Sequence, residues 1–213
     1  MKTVAFISQK GGSGKTTTAL HAAVAAHEQG LSVAIVDVDP QASAFKWHRR
    51  RRQDSEKYDP EVVSLQAEAV PDLIEKARSA GGDLVILDTA PNSDRDVRTI
   101  AKVSDLIIIP SRVTVVDIEA VENTWELSQV TKRPAFVLFN QVMAQSPTSL
   151  ADARAYITAK GIPTCPFEIG HRKIFSDAFV PGLTATEVEP KGKGAAEVRK
   201  MMAWITNELG KLQ

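Results

Sequence analysis

Residues 8–18 read Ser-Gln-Lys-Gly-Gly-Ser-Gly-Lys-Thr-Thr-Thr, and this glycine-rich stretch constrains the fold more than any other part of the chain. The apolar run Thr3–Ile7 precedes it and predicts a short buried strand. Residues Thr17–Gln29 follow it, contain no Gly or Pro and are rich in Ala, so they predict a helix. A strand, a glycine loop, Lys-Thr and a helix in this order predict a phosphate-binding loop, or P-loop.

The loop supplies the residue types that phosphate and Mg²⁺ require. Gly11, Gly12 and Gly14 allow the backbone to fold around phosphate oxygens without obstruction by a Cβ atom. The loop N–H groups and the helix N-terminus provide positive potential. Lys15 is expected to neutralise the β- and γ-phosphates, and Thr16 to place its hydroxyl on Mg²⁺. The predicted nucleotide contacts are Lys10, Gly11, Gly12, Ser13, Gly14, Lys15, Thr16 and Thr17.

Lys10 is an additional cation in this loop. The usual pattern G-x-x-x-x-G-K-[ST] has glycine where this chain has Gln9, and Lys15 already serves the bound phosphates. Taken alone, Lys10 could be a solvated loop lysine. However, K-G-G-x-G-K-T-T resembles the deviant Walker A box of the ParA/MinD family of ATPases. The resemblance implies ATP or ADP and Mg²⁺ as cofactors. It also implies an ATP-bound homodimer in which Lys10 reaches the partner's nucleotide and acts in catalysis with Lys15.

Composition favours an ordinary soluble protein. A chain of 213 residues with 43% hydrophobic and 24% charged residues predicts a single domain over residues 1–213. Lys plus Arg equal Asp plus Glu at 26 each, so any nucleic-acid binding must come from a local patch. A lone cysteine, Cys165, excludes an intrachain disulfide and a Cys-rich metal site. With no membrane-length apolar run and no signal peptide, we expect a cytoplasmic protein.

Apolar runs alternate with helical patterns along the chain. This order predicts an α/β fold with one doubly wound, mostly parallel sheet flanked by helices. The polar segment Gln53–Leu65 is expected to be a surface excursion. The predicted strands are Thr3–Ile7, Ser32–Val36, Leu84–Leu87, Leu106–Ile109, Ala135–Phe139 and Ile162–Cys165. The predicted helices are Gly14–Gln29, Ala42–Arg52, Pro71–Ala80, Asp94–Val103, Asp117–Val130, Ser149–Lys160 and, approximately, Ala195–Leu209.

Acidic residues end two of these strands, where ligands bind in such sheets. Alternation along an extended chain puts Asp37 and Asp39 on one side, although Asp39-Pro40 also fits a turn with Asp39 as a helix cap. The string D-x-D-P-Q resembles the family's switch I. The resemblance implies that Asp39 positions the attacking water near the metal.

Residues 84–91 form the next acidic strand end. Four apolar residues followed by Asp88 have the form of a Walker B strand, in which Asp88 holds Mg²⁺ directly or through water. The metal-contacting residues are therefore predicted to be Thr16, Asp39 and Asp88. Thr89-Ala90-Pro91 would then lie in the switch II segment.

Two further polar residues have two interpretations each. Asn140 ends an apolar strand and could read the adenine edge, as the family often does, or simply form a turn. Asp117 resembles an aspartate near the family's dimer face, and it could equally cap a helix.

Basic residues concentrate in two segments. The run Lys46–Arg52 contains four successive arginines that cannot share one helix face, and we expect most to be solvated or neutralised by nearby carboxylates. A direct phosphate contact by Arg49–Arg52 stays open. The C-terminal pattern resembles the family's non-specific DNA surface, which implies contacts from Arg172, Lys173, Lys191 and Lys193. The apolar stripe of the last helix is expected to face the core, so a membrane role is not expected.

The resemblance extends over most of the chain and is to the short ParA type. It implies ATP-dependent dimerisation, non-specific DNA binding on the nucleoid, and hydrolysis stimulated by a ParB-like or other adaptor, so that plasmid or chromosome DNA is partitioned. Related positioning of a protein cargo or a DNA-transfer complex, and a MinD-like regulator, remain alternatives. A metabolic P-loop enzyme would instead need a substrate pocket and no lysine acting across a dimer.

Overall fold

The computed structural model describes residues 1–91, 94–145 and 147–212. Seven strands form one sheet in the order β3-β2-β4-β1-β5-β6-β7, and each neighbouring pair is parallel. This confirms the doubly wound α/β prediction and makes the sheet fully parallel in the described part of the chain. The strands are β1 (Lys2–Phe6), β2 (Val33–Asp37), β3 (Glu61–Ser64), β4 (Leu84–Asp88), β5 (Leu106–Ser111), β6 (Ala135–Val142) and β7 (Thr164–Gly170).

Helices connect the strands and cover both faces of the sheet. Each of the seven predicted helices is present within two residues of its expected bounds. A 3₁₀ turn at Ala67–Ala69 and the four-residue helices Ile174–Asp177 and Ala185–Val188 were not among the predicted elements. The helices are α1 (Lys15–Glu28), α2 (Ser43–Asp54), α3 (Val70–Ser79), α4 (Asp94–Val103), α5 (Val115–Gln129), α6 (Pro147–Ala159), α7 (Ile174–Asp177), α8 (Ala185–Val188) and α9 (Lys193–Lys211).

The core has two layers, one on each face of the sheet. Alternation along β1 sends Val4 and Phe6 to the layer that contains α1, α2 and α9, and Ala5 to the layer that contains α3 to α6. The predicted stripe of α9 is buried in the first layer, with Ala195, Val198, Met202, Ile205 and Leu209 all inaccessible or nearly so. Cys165 is buried in β7, as its apolar surroundings in the sequence suggested.

The two edge strands differ from prediction. Residues Glu61–Ser64, expected in a surface excursion, form β3 beside β2. Only Val62 is fully buried there, so the strand lacks the continuous apolar run that marks the central strands. At the other edge, β7 begins at Thr164 rather than Ile162 and alternates buried and exposed residues. Within the described residues, no helix is long and apolar enough to span a membrane.

Strand register places the acidic residues together. Asp37 at the end of β2 lies opposite Asp88 at the end of β4, and Asp88 also lies opposite Phe6 at the end of β1. Because the P-loop leaves β1 at this point, both aspartates meet the loop at the carboxyl edge of the sheet.

Candidate functional site

The P-loop runs from Gln9 to Gly14, between β1 and α1, and its shape depends on glycine. Gly12 and Gly14 have φ angles of 75° and 91°, which L-residues with a side chain rarely adopt. Gly14 is also the N-cap of α1, and no side chain caps the helix there. The first N–H groups of α1 are therefore left available for an anion. Gly11 is exposed at the loop surface.

Lys15 lies inside the curve of the loop rather than on its surface. Its side chain is buried, and Nζ donates a hydrogen bond to the Lys10 carbonyl oxygen at 3.2 Å. Burial lowers the pKa of the Lys15 ammonium, while the negative charges of Asp88 and Asp39 act against that decrease. A buried cation that is held by one carbonyl oxygen is well prepared to bind phosphate oxygens.

Asp88 is completely buried, and neither carboxylate oxygen has a hydrogen-bond partner in the described part of the chain. Burial raises the pKa of Asp88 to about 7. The Thr16 hydroxyl and the Lys15 charge lower this pKa, and the carboxylate of Asp37 raises it. The Thr16 hydroxyl is thus close to Asp88 although no well-formed hydrogen bond joins them. A buried carboxylate without donors is costly unless a proton or a cation accompanies it.

Mg²⁺ fits this arrangement. The hydroxyl of Thr16 and the unpartnered carboxylate of Asp88 are hard oxygen ligands, which Mg²⁺ prefers. Residues 1–91, 94–145 and 147–212 contain no cluster of three or more His, Cys, Asp or Glu that could hold a metal alone. Such a cluster is not required, because nucleotide-bound Mg²⁺ takes most of its ligands from phosphates and water. Thr16 and Asp88 are the residues that would hold the ion.

Asp37 and Asp39 have different roles in this region. Asp37 accepts hydrogen bonds from the backbone N–H groups of Asp39, at 3.1 Å, and Phe45, at 3.0 Å. It therefore holds the start of α2 in place. Asp39 accepts from the N–H of Gln41 at 2.8 Å, which is the turn that Asp39-Pro40 allowed. β2 ends at Asp37, so Asp39 reaches the vicinity of Lys15 and Asp88 through this turn and not through an extended strand.

Asn140 supports the P-loop backbone. It is buried, and its Nδ2 donates to the Ser13 carbonyl oxygen at 2.9 Å, while its Oδ1 accepts from the N–H of Gln141 at 2.9 Å. Gln141 has a φ of 54° and donates from Nε2 to the Gly12 carbonyl oxygen at 3.1 Å. This contact of Gln141 was missed by sequence reasoning. Both ends of the Asn140 amide are engaged, and its adenine contact stays a prediction.

A pocket of about 320 Å³ opens beside the start of α1. Its lining includes Thr17, His21, Asn140, Gly170, Arg172 and Phe175. The His21 ring accepts at Nε2 from the N–H of Ala185, so the proton is on Nδ1, which donates to the Thr17 carbonyl oxygen at 2.8 Å. Burial lowers the pKa of His21 to about 4, so the ring is neutral. The pocket is thus largely uncharged except at Arg172.

The C-terminal basic residues are in unequal environments. Arg172 forms a two-point ion pair with Glu197 of α9, with Nε 3.0 Å from Oε2 and Nη2 bonded to Oε1. Lys173 is exposed and lies 3.4 Å from Asp177. Lys191 and Lys193 are exposed and take part in no ion pair within the described part of the chain.

The arginine run is split by the helix that carries it. Arg51 is buried and binds Glu187 of α8 through two hydrogen bonds, each of 2.9 Å. The expected neutralisation of the run by nearby carboxylates is therefore wrong for Arg51, whose partner is 136 residues away. Arg51 lies on the inner face of α2, which the nearby surface carboxylates do not reach. The expectation that most of the four arginines are solvated holds for two of them, since Arg49 and Arg52 are exposed, Arg50 is half-buried and Arg51 is buried.

The first turn of α5 excludes one of the two interpretations of Asp117, the helix cap. Thr114 is the N-cap, and its Oγ1 accepts from the N–H of Asp117. Asp117 itself lies inside the helix, where its carboxylate binds Arg112 at 3.0 and 3.2 Å. Asp117 as the cap is therefore wrong, and its position near a dimer face stays a prediction.

Comparison with known proteins identifies a matching family and several similar proteins. Residues 4–184 match the family model described as the CobQ/CobB/MinD/ParA nucleotide binding domain. The "Maintenance of carboxysome distribution protein A" of Gloeobacter kilaueensis is 30% identical over 213 residues, covering 98% of this chain and 94% of that protein. Protein virC1 of Rhizobium radiobacter is 29% identical over 185 residues, covering 83% of this chain and 79% of that protein.

Solved structures show the same fold. An ATP complex of an aspartate-to-alanine variant of McdA from Cyanothece superposes with a TM-score of 0.71 at 18% identity. The superposition covers 99% of this chain and 96% of that one. At this identity the likeness concerns the fold, which extends over nearly the full length of both chains.

Proposed function

The chain belongs to the CobQ/CobB/MinD/ParA family of nucleotide-binding proteins, and on this premise we propose that it is a ParA-type ATPase that uses ATP and Mg²⁺ to position a cargo. The observation that carries the proposal is Asp88. Its buried carboxylate lacks any donor in the described part of the chain and lies near Thr16 and Lys15, where a P-loop nucleotide brings its metal.

Hydrolysis needs positioning and charge more than covalent chemistry. Lys15 would bind the β- and γ-phosphate oxygens, and Thr16 and Asp88, with Asp39 nearby, would hold Mg²⁺, which would supply positive charge against the negative charge that develops. Asp39 orients the attacking water, because its turn brings the carboxylate to the same edge of the sheet as Lys15 and Asp88. A structural neighbour that holds ATP with an aspartate replaced by alanine supports ATP as the nucleotide.

The nucleoside occupies the 320 Å³ pocket beside α1. This pocket adjoins Thr17, one residue beyond the metal-binding threonine, and it has the mostly apolar lining that suits a flat base. Asn140 and Gln141 join the pocket to the loop, since each donates to a P-loop carbonyl oxygen.

Lys10 acts on the nucleotide of a second copy of the chain. The Lys10 carbonyl oxygen accepts a hydrogen bond from Lys15. The Lys10 ammonium forms no ion pair among residues 1–91, 94–145 and 147–212. A loop cation without a carboxylate is best matched by the phosphates of a facing subunit. The active form is therefore an ATP-bound homodimer.

The cargo that we propose is plasmid or chromosome DNA. The ATP-bound dimer binds nucleoid DNA without sequence preference in the cytoplasm, and a ParB-like or other adaptor stimulates hydrolysis. A protein cargo is the second candidate, and the carboxysome-distribution relative, 30% identical over nearly the full length, favours it. Both candidates use the same nucleotide switch.

Three experiments test these proposals: nucleotide titration, ATP hydrolysis by a variant, and gene deletion. Calorimetric titration with ATP and Mg²⁺ should show binding by the wild type and none by Lys15→Ala, and equal affinities would contradict the nucleotide site. Asp39→Ala should bind ATP and hydrolyse it slowly. Deleting the gene should then raise the rate of plasmid loss if DNA is the cargo. Dispersal of a fluorescent protein cluster with normal plasmid retention would favour the second candidate.

A further inference from the structure

Helix α2 separates its cations from its buried face. Ala44, Trp47, His48 and Arg51 point inward and are buried. At about 100° per residue, Lys46 and Arg49 fall on the opposite side of the helix, and Arg50 and Arg52 fall on its two flanks. We call these four cations the α2 ridge; Lys46, Arg49 and Arg52 are exposed and Arg50 is half-buried.

The charge of the α2 ridge is not neutralised. No ion pair formed within the described ranges includes any of its four cations, and the carboxylates that follow in sequence, Asp54 and Glu56, do not pair with it. By contrast, Arg172 and Lys173 are matched by Glu197 and Asp177. Two of the four cations that resemblance assigns to DNA are therefore ion-paired within the fold, whereas Lys191, Lys193 and the α2 cations are not.

Two side chains of the α2 ridge are nevertheless held in place. Arg50 donates from Nε to the Phe179 carbonyl oxygen at 3.2 Å, and the Arg52 guanidinium lies 5.2 Å from the centre of the Tyr58 ring. Arg49, Arg52, Gln53 and Tyr58 surround a surface pocket of about 390 Å³. Each of these four side chains offers a hydrogen-bond donor, and such a depression suits a phosphate group.

The helix under the ridge is anchored at both ends. Trp47 donates from Nε1 to the Leu183 carbonyl oxygen at 3.2 Å, and Arg51 binds Glu187. At its start, the N–H of Phe45 binds Asp37, which lies beside Asp88 in the sheet. Helix α2 is therefore fixed to the rest of the fold. Its first turn is bonded to Asp37, which lies beside Asp88 in the proposed nucleotide site.

We propose that the α2 ridge binds the phosphate backbone of duplex DNA without reading its sequence, and that Arg172 is mainly a structural partner of Glu197. Residues 46–52 extend over about 9 Å at 1.5 Å per residue, so the ridge can contact only a few neighbouring phosphates. A membrane is disfavoured, because the apolar face of α2 is already buried and cannot enter lipid. The inference rests on the proposed DNA-binding function and assigns its surface.

The test compares three variants with the wild type, each with a non-hydrolysable ATP analogue and Mg²⁺. Arg49→Ala/Arg52→Ala removes two ridge charges, and Lys76→Ala/Arg78→Ala removes two exposed charges from α3 as a matched control. Arg172→Ala removes the rival contact. Fluorescence anisotropy with two unrelated duplexes measures affinity against salt, and thermal unfolding confirms that each variant is folded.

We expect the ridge variant to lose about tenfold or more in affinity for both duplexes and to flatten the slope of log affinity against log salt by about 2 per chain. The α3 control should bind as the wild type does. If the control loses as much as the ridge variant, bulk charge explains the result and the assignment is wrong.

Other outcomes separate this inference from the proposed function. If the ridge variant binds normally while Arg172→Ala does not, the α2 surface is wrong and DNA binding stands. If the ridge variant loses binding to vesicles of anionic lipid and keeps its DNA affinity, the α2 ridge is a lipid surface. If the wild type binds no DNA in any nucleotide state, DNA binding itself fails, and the inference fails with it.

Discussion

The guanidinium of Arg51 joins the carboxylate of Glu187 through two parallel hydrogen bonds of 2.9 Å, fastening α2 to α8. Both side chains are nearly inaccessible to solvent. Breaking a buried ion pair by truncating one member costs about 3–5 kcal/mol. Without Arg51, the half-exposed Lys57, 2.6 Å away, is the cation left on Glu187. We therefore expect Arg51→Ala to lower the free energy of unfolding by about that amount, as measured by urea denaturation.

Arg49→Ala is the matched control for this measurement. Arg49 precedes Arg51 by two positions on the same helix but is exposed, and surface changes usually stay within about 0.5 kcal/mol. Equal effects of the two variants would show that the ion pair between α2 and α8 contributes little.

The pH dependence of stability should reflect His21. Its folded pKa is depressed to about 4 from the ordinary value of 6.5, because burial disfavours the charged ring. The neutral ring therefore contributes stability that is fully present above pH 6.5 and is lost as pH falls toward 4. In that window His21 by itself lowers the unfolding free energy by about 1.4 kcal/mol per pH unit. Asp88, whose folded pKa is raised to about 7, acts in the opposite direction over nearly the same window, so the His21 effect is measured as the difference between the wild type and a His21 variant.

Glu187 adds a second loss of stability at lower pH. Burial acts to raise its pKa, but the hydrogen bonds and charges of Arg51 and Lys57 outweigh burial and lower the pKa to about 2. Its contribution is present above about pH 4.5 and is lost between there and pH 2. Relative to the wild type, His21→Gln should gain stability as pH falls from 6.5 to 4, while His27→Gln, at an exposed position, should follow the wild-type curve.

Sequence reasoning succeeded where a local pattern determines the structure. The central strands are continuous apolar runs because helices cover both of their faces, and the ends of β2 and β4 therefore place Asp37 and Asp88 together. The edge strand β3 was not predicted, because Glu61 and Ser64 flank only two apolar residues and nothing in the local sequence distinguishes this segment from a loop.

Contacts between distant parts of the chain could not be predicted. Gln141 reaches the Gly12 carbonyl oxygen from 129 residues away, and nothing in its neighbourhood indicates this. The same holds for Arg51, which looks like any other member of a charged run until the helix is docked. The strand, loop and helix order around the P-loop was predictable, because glycine spacing before Lys-Thr follows from how the backbone must enclose phosphate.

Gly14 should not tolerate even a methyl group. A Cβ atom there would lie 2.1 Å from Asn140 Nδ2, and the φ of 91° is itself unfavourable for alanine. We expect Gly14→Ala to displace Asn140 from the Ser13 carbonyl oxygen and to lower the unfolding midpoint as well as ADP affinity. Gly210→Ala is the control, because an added Cβ there meets nothing within 4 Å. Equal midpoints for the two variants would contradict the tight contact.

Asp88→Asn should preserve or raise the stability of the nucleotide-free protein while it removes the effect of Mg²⁺ on ATP affinity. The buried carboxylate has no donor in the described part of the chain, so replacing it with a neutral amide removes a charge that the nucleotide-free protein must bury. At pH 8 we expect the nucleotide-free variant to be as stable as the wild type or more stable, by up to about 3 kcal/mol. Its ATP affinity should no longer increase on adding Mg²⁺. An affinity that still rises with Mg²⁺ would show that Asp88 does not hold the ion.

Lys10→Ala should leave nucleotide binding intact and prevent dimerisation. Lys15 supplies the cation for the bound phosphates from inside the loop, and its partner is the Lys10 carbonyl oxygen, which alanine retains. Only the ammonium is lost, and in our proposal it acts on the facing subunit. Light scattering with a saturating non-hydrolysable ATP analogue should give a dimer for the wild type and a monomer for Lys10→Ala, while titration shows similar affinities. Lys46→Ala, which removes an exposed lysine from α2, is the control and should dimerise. A wild type that stays monomeric, or a Lys10→Ala variant that dimerises normally, would show that Lys10 does not act across an interface.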